Sequence, residues 1–328
     1  MKTVTTNQTE PASAVSPATP KRRTKKVLIT LALLVLLGVI VLAVLPPLIV
    51  GGMVNQRITF SEIWSGEEYG LDPQKITLTT SDGLNIVAYE VRADQPKAVI
   101  IFLPGLHNPS VTAFFGHARM LLDQGYASVL VEMRARGESE GEVIGLGYKE
   151  YLDVQAAVAY LKSQSRYDGT PIVVYGLSMG GGAAINAIGQ TPDIDGLITL
   201  SAFSAWDELF VDHMGLPEPL GAVQRPFVRL YTSFKYGWDS RHITPSQQIQ
   251  NLGDRPALLI HSTEDSQMPY ANFKRLMSHA PDHVESWTRA GDLHFIVQPG
   301  SFLTPEEDIE YAERILDFLN RHWGNPEP

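Results

Sequence analysis

The apolar pattern divides the chain into three regimes. Val27 to Leu45 is an uninterrupted, uncharged apolar stretch of nineteen residues. As a helix it is roughly 28 Å long, about the hydrocarbon thickness of a bilayer. Pro46-Pro47 is expected to end it and Gly51-Gly52 to loosen the exit. A buried core helix of this length would carry polar residues. A cleaved signal has a shorter apolar core and a small-residue site, which Val44-Leu45-Pro46-Pro47 does not provide. The pattern therefore predicts an uncleaved transmembrane anchor over 27–50 and a tether over 51–70.

Beyond residue 70 the apolar runs shorten to strand length. Lys75–Thr80 and Asn85–Val91 alternate around Ser81-Asp82-Gly83-Leu84, which predicts a hairpin. Continuous apolar runs at Lys97–Leu103, Tyr126–Glu132, Pro171–Tyr175, Ile194–Leu200 and Pro256–Ile260 predict buried strands, with a short last one at Val284–Thr288. Helical spacing appears over 110–124, and over 148–164 with Tyr151, Val154, Val158 and Leu161 on one face. A closing helix is predicted from Thr304 to His322, with Thr304 and Glu307 as a capping box. Alternating strands and helices predict an α/β domain over 71–328, its mostly parallel central sheet covered on both faces. The segment 201–250 breaks the rhythm and is rich in Trp, Phe, Tyr and Pro. It is expected to be a small lid insertion over the carboxyl ends of the strands.

Residues 1–20 are mostly Thr, Pro, Ser and Ala and are expected to be disordered. With Lys21, Arg22, Arg23, Lys25 and Lys26 they complete a basic tail, 1–26, on the N-terminal side of the apolar run, while Glu62, Glu67 and Glu68 follow it. The positive-inside rule then predicts a single-pass membrane protein with a cytoplasmic N-terminus and an extracytoplasmic domain. Six of the 26 basic and one of the 36 acidic residues precede Val27, leaving 20 and 35 beyond it, a net charge of −15. So acidic a surface argues against a nucleic-acid partner. The absence of cysteine removes disulfides, thiol catalysis and cysteine-bound zinc.

The chemistry-bearing segment is Val173-Val174-Tyr175-Gly176-Leu177-Ser178-Met179-Gly180-Gly181-Gly182. An apolar strand, Gly-x-Ser-x-Gly and a small-residue helix start make a nucleophile elbow around Ser178. The Met179 N–H would face an oxyanion. A serine needs a base, and the base needs an orienting group. Asp265 lies just past the strand 256–260 and is preferred to its neighbour Glu264. His294, in Gly291-Asp292-Leu293-His294, follows the last strand and is preferred to the eight other histidines; His261 reads as a packed core group. The loop Leu103-Pro104-Gly105-Leu106-His107 is expected to supply the second oxyanion N–H, from Leu106.

Together these motifs resemble those of the α/β-hydrolases of the serine-aminopeptidase-like or dienelactone-hydrolase-like type, over roughly residues 70–322. The His-Gly-x of that group stands here as Pro104-Gly105-Leu106, and its Asp-x-Arg-Gly-x-Gly-x-Ser as Glu132-Met133-Arg134-Ala135-Arg136-Gly137-Glu138-Ser139. Its His-Gly-x-x-Asp-x-x-Val-Pro stands as His261 through Pro269, with Ser262 for Gly. Gly-x-Ser-x-Gly is intact at 176–180, and Gly-x-x-His at 291–294. The resemblance implies the α/β-hydrolase fold. Serine at the elbow, rather than aspartate or cysteine, implies acyl transfer to water without metal or cofactor. The expected function is a membrane-anchored serine esterase or thioesterase with a small-molecule or lipid-like acyl substrate. A peptidase or acyltransferase on the same triad, and a non-catalytic binding protein on a hydrolase fold, are the alternatives.

Overall fold

The computed structural model describes residues 21–106, 110–215 and 218–324. The chain divides into two compact units, Met1–Val44 and Leu45–Pro328. The expected disorder of residues 1–20 falls outside the described residues.

Helix α1 runs from Lys21 to Val54 without a stop. Three expectations change. Lys21–Lys26 is helical rather than part of a disordered tail, and Pro46-Pro47 lies inside the helix rather than at its end. The prolines remove two N–H donors and crowd the carbonyls four residues back, but their fixed φ is itself helical, and the helix runs on through them. Gly51 and Gly52 are helical too. Within α1 the segment Thr24–Val54 is long and apolar enough to cross a membrane. Apolar side chains from Val27 to Leu37 are each more than half exposed, unlike those of a core helix.

The second unit is built on an eight-stranded sheet. Its strands are β1 (Gln74–Thr79), β2 (Asn85–Val91), β3 (Val99–Leu103), β4 (Ala127–Val131), β5 (Ile172–Leu177), β6 (Gly196–Leu200), β7 (Ala257–Ser262) and β8 (Glu285–Arg289). Their spatial order is β1-β2-β4-β3-β5-β6-β7-β8. β1–β2 and β2–β4 pair antiparallel, and every other pair is parallel. β3 to β7 are buried along their whole length because helices cover both faces. α2 (Phe115–Leu122) and α9 (Ile309–Trp323) pack on one face. α3 (Tyr151–Lys162), α4 (Met179–Ile188) and α8 (Ala271–His279) pack on the other.

Between β6 and β7 lies a helical insertion, with α5 (Trp206–Met214), α6 (Glu218–Tyr236) and α7 (Pro245–Gln248). The closing helix starts later than expected. Thr304 makes no side-chain cap; a 3₁₀ turn occupies Pro305–Glu307, and Asp308 caps α9 by accepting from the Tyr311 N–H. Asp308 also binds Arg289 on β8, which fixes the helix start to the sheet.

Register sets the site. Leu103 lies opposite Gly176 across β3 and β5, Leu200 opposite Ile260, and Ser262 opposite Arg289. The loops after β3, β5, β7 and β8 therefore open at one edge of the sheet, where ligands bind in parallel α/β folds.

Candidate active site

At the end of β5 the chain turns through Ser178 with φ 55° and ψ −116° and enters α4 at once. A non-glycine residue in this region is strained, and the surroundings must hold it. The Ser178 N–H donates to the Leu200 carbonyl at 2.7 Å, and the Gly182 N–H donates to the Ser178 carbonyl at 3.2 Å. A Cβ on Gly176 would sit 2.2 Å from the Gly180 oxygen, and one on Gly180 would sit 2.4 Å from the Leu103 oxygen. The two glycines flanking Ser178 are thus required by backbone-to-backbone approach, as the motif implied. The contact at Gly180 also sets the loop after β3 against the elbow.

Asp265 follows β7 on a tight turn. Its Oδ1 accepts from the Gln267 N–H at 2.9 Å and the Met268 N–H at 2.7 Å. Its Oδ2 lies 2.9 Å from His294 Nδ1. Burial raises the Asp265 carboxyl pKa, but bonds from His294 and the Met268 amide outweigh it, and the carboxylate is held below its usual range. Glu264 faces solvent, and its N–H donates to the Gly291 carbonyl at 3.0 Å. The loop carrying His294 is tied to the Asp265 turn at two more points. Ser262 Oγ accepts from the Leu293 N–H at 3.1 Å, and Asp292 Oδ1 accepts from the Ser266 N–H at 2.9 Å. Ser262, which stands where the resembled motif has glycine, therefore positions the histidine loop, a role not legible in the sequence. His261 is buried, with Nε2 2.8 Å from the Met268 carbonyl, and burial lowers its pKa.

Ser178, His294, Leu106 and Met179 all line one cavity of about 520 Å³. The insertion supplies one wall through Trp206, Leu209, Phe210, His213 and Met214. The end of α1 supplies another through Ile49, Val50 and Met53. No Asp or Glu lines the cavity among the described residues. Of the large aromatics in the insertion, Trp206 and Phe210 are in this wall, whereas Phe227, Tyr231, Phe234 and Trp238 are not. The sequence places Ile49 and Val50 in the anchor and Met53 in the tether, so a part in the cavity wall is not expected of them. Behind Met179, the buried Arg136 brings Nη2 to 3.5 Å from the Met179 sulfur. Among the described residues, no group of three or more His, Asp or Glu could hold a metal ion.

A family model described as serine aminopeptidase, S33, matches residues 94–251. The match includes Ser178 and ends before Asp265 and His294. Among curated relatives, an uncharacterized protein of Bacillus subtilis, YqkD, is 23% identical over 209 residues, covering 63% of this chain and 68% of the relative. An uncharacterized membrane protein of Saccharomyces cerevisiae is 26% identical over 141 residues, covering 41% of this chain and 47% of the relative. Among solved structures, a Pyrococcus furiosus esterase superposes with a TM-score of 0.62 at 21% identity, over 82% of this chain and 99% of that one.

Proposed function

We propose that this chain, a member of the α/β-hydrolase superfamily, cleaves a carboxylic ester or thioester carrying an apolar acyl group. Fold and family match together support a serine-hydrolase-type enzyme. The observation that carries the finer reading is the Asp265–His294 pair, 2.9 Å apart, beside the cavity that Ser178 also lines.

In this reading Asp265 accepts the Nδ1–H of His294 and leaves the Nε2 lone pair to act as base. His294 takes the Ser178 hydroxyl proton as Ser178 Oγ attacks the substrate carbonyl. The negative charge that forms on the carbonyl oxygen is met by the N–H groups of Leu106 and Met179, the second at the start of α4, where backbone donors point outward. His294 then protonates the departing alcohol or thiol. Water, deprotonated by the same imidazole, attacks the acyl-Ser178 carbonyl, and the acid leaves as the serine is restored.

An ester fits better than a peptide with a free N-terminus. An aminopeptidase site needs a carboxylate for the α-ammonium group, and the cavity wall has none among the described residues. The insertion acts as a lid through α5. The apolar run Val27–Leu45 of α1 acts as the membrane anchor, with the basic N-terminal residues cytoplasmic and the hydrolase unit outside. The test is hydrolysis of p-nitrophenyl butyrate by the wild type and by Ser178→Ala. The variant should keep its circular dichroism spectrum and lose at least about a thousandfold in kcat. Wild-type-like turnover by the variant would remove Ser178 as nucleophile.

A further inference from the structure

Helix α6 turns an apolar stripe toward solvent. Leu220, Val223, Leu230 and Phe234 recur at helical spacing and are between 42% and 70% exposed. Trp238 extends the stripe beyond the helix, 52% exposed, its ring 5.3 Å from that of Phe234. The opposite face of α6 is packed: Gln224, Val228, Thr232 and Tyr236 are buried. A stripe of this length on an exposed helix face marks an interaction surface rather than scattered surface residues.

Charge and attachment indicate the occupant. Between Glu218 and Asp239 the chain carries Arg225, Arg229 and Lys235 and no acidic residue, and Arg229 is paired with the buried Asp207. Arg241 stacks 3.8 Å over the Trp238 ring. This cationic, aromatic-rich surface stands on a domain that is strongly acidic elsewhere, which complements anionic lipid headgroups. The end of α6 is also fastened to the end of α1. Lys235 Nζ donates to Asn55 Oδ1, and a Cβ on Gly51 would lie 3.2 Å from the Tyr231 hydroxyl. Gly51 is six residues past Leu45, the last of the apolar run, or roughly 9 Å along a helix. That is just beyond one headgroup layer, roughly 5–8 Å deep.

We propose that the exposed stripe of α6 beds into the headgroup–acyl boundary of a phospholipid bilayer, laying the helix along the membrane surface. The proposal rests on the reading of α1 as the membrane anchor. Its consequence concerns the site. α6 packs tightly on α5, where a Cβ on Gly221 would be 2.4 Å from Val211 Cγ1, and α5 walls the cavity that holds Ser178. The helix that touches lipid is thus one layer from the acyl pocket.

The cysteine-free sequence permits a direct test. Full-length protein carrying one nitroxide at a time, through Phe234→Cys, Val223→Cys, Leu36→Cys or Glu313→Cys, is reconstituted into phosphatidylcholine–phosphatidylglycerol vesicles. Power saturation compares collision with oxygen, which concentrates in lipid, and with a water-soluble nickel chelate. The label at 36 reports the anchor, and the label at 313, on the exposed face of α9, reports water. Expected are oxygen-dominated collisions at 36, 223 and 234 and nickel-dominated collisions at 313. Nickel-dominated collisions at 223 and 234 with lipid contact retained at 36 would overturn the proposal and leave the anchor standing. Water exposure at 36 would remove both. Protection at 234 from both reagents, with spin–spin broadening that disappears when labelled protein is diluted tenfold with unlabelled, would assign the stripe to a second copy of the chain and overturn the bilayer.

Discussion

Ser178 combines a strained backbone with glycines on both sides, and those glycines are as necessary to the geometry as the serine. A Cβ at Gly180 meets the Leu103 and Pro104 carbonyl oxygens at 2.4 and 2.5 Å, and backbone atoms cannot turn aside as a side chain can. Gly180→Ala should therefore lower the melting temperature and reduce esterase activity at least about a hundredfold, since it displaces an oxyanion donor. Asp265→Asn keeps the shape of the turn but loses the charge that orients His294; kcat on a short ester should fall by about two to four orders of magnitude. Glu132 gives a pH signature. It is buried at the end of β4, accepting from the Val111 N–H at 3.1 Å and Ser110 Oγ at 3.2 Å, and burial pushes its pKa up to about 7. A carboxyl whose folded pKa exceeds its unfolded one holds its proton better when folded, so its stabilising contribution is full below pH 4.5 and is lost as pH rises to about 7. Stability should decline across that window by up to about 3 kcal/mol from this group, and Glu132→Gln should flatten the decline in denaturant titrations. At this scale the sequence was informative where one residue type has one use. Ser178, Asp265 and His294 stood at motif positions, and the structure sets Asp265 against His294, with His294 and Ser178 on one cavity. Ser262 was not legible, because a serine hydroxyl that accepts a loop amide looks like any other serine.

The strands were legible because each is a β-branched or aromatic run buried on both faces, a pattern few other structures produce. The two helix boundaries that moved did so for local reasons. Pro46-Pro47 reads as a stop only if the preceding residues lack other support, and here α1 carries on until Val50 and Val54 are buried in the core of the second unit. Thr304 lost the cap because Pro305 begins a 3₁₀ turn and Asp308, already paired with Arg289, is better placed. The extension of α1 matters to function, since Ile49, Val50 and Met53 wall the cavity. Val50→Trp should fill part of it. The ratio of activity on p-nitrophenyl dodecanoate to that on the acetate should fall at least about tenfold, with acetate hydrolysis preserved. Deleting residues 1–44 should leave short-ester hydrolysis intact, whereas deleting 1–54 removes the Val50 and Val54 packing and should lower the melting temperature; equal thermal stability of the two truncations would contradict the part assigned to the helix end.

At the scale of the whole molecule the chain joins an apolar N-terminal helix to an acidic unit with the α/β-hydrolase fold. The central sheet fixes four loops at one edge, and the insertion and the helix end close an apolar cavity over them. The full-length protein should remain in the membrane pellet after alkaline carbonate washing, and release into the supernatant would contradict the anchor. The pairing of a bilayer-length apolar helix with an α/β sheet unit was readable from the pattern, because bilayer-length apolar runs and alternating strand–helix patterns are both long-range signals. The wall shared by helix end and active site was not, since it depends on packing between residues far apart in sequence. The central claim is that Ser178 becomes acylated. Brief reaction with a fluorophosphonate, followed by proteolysis and mass spectrometry, tests it most directly. One adduct on the peptide containing Ser178, its rate reduced in Asp265→Asn and abolished in His294→Ala, is the predicted result; no adduct at Ser178 in a protein that still hydrolyses esters would contradict it.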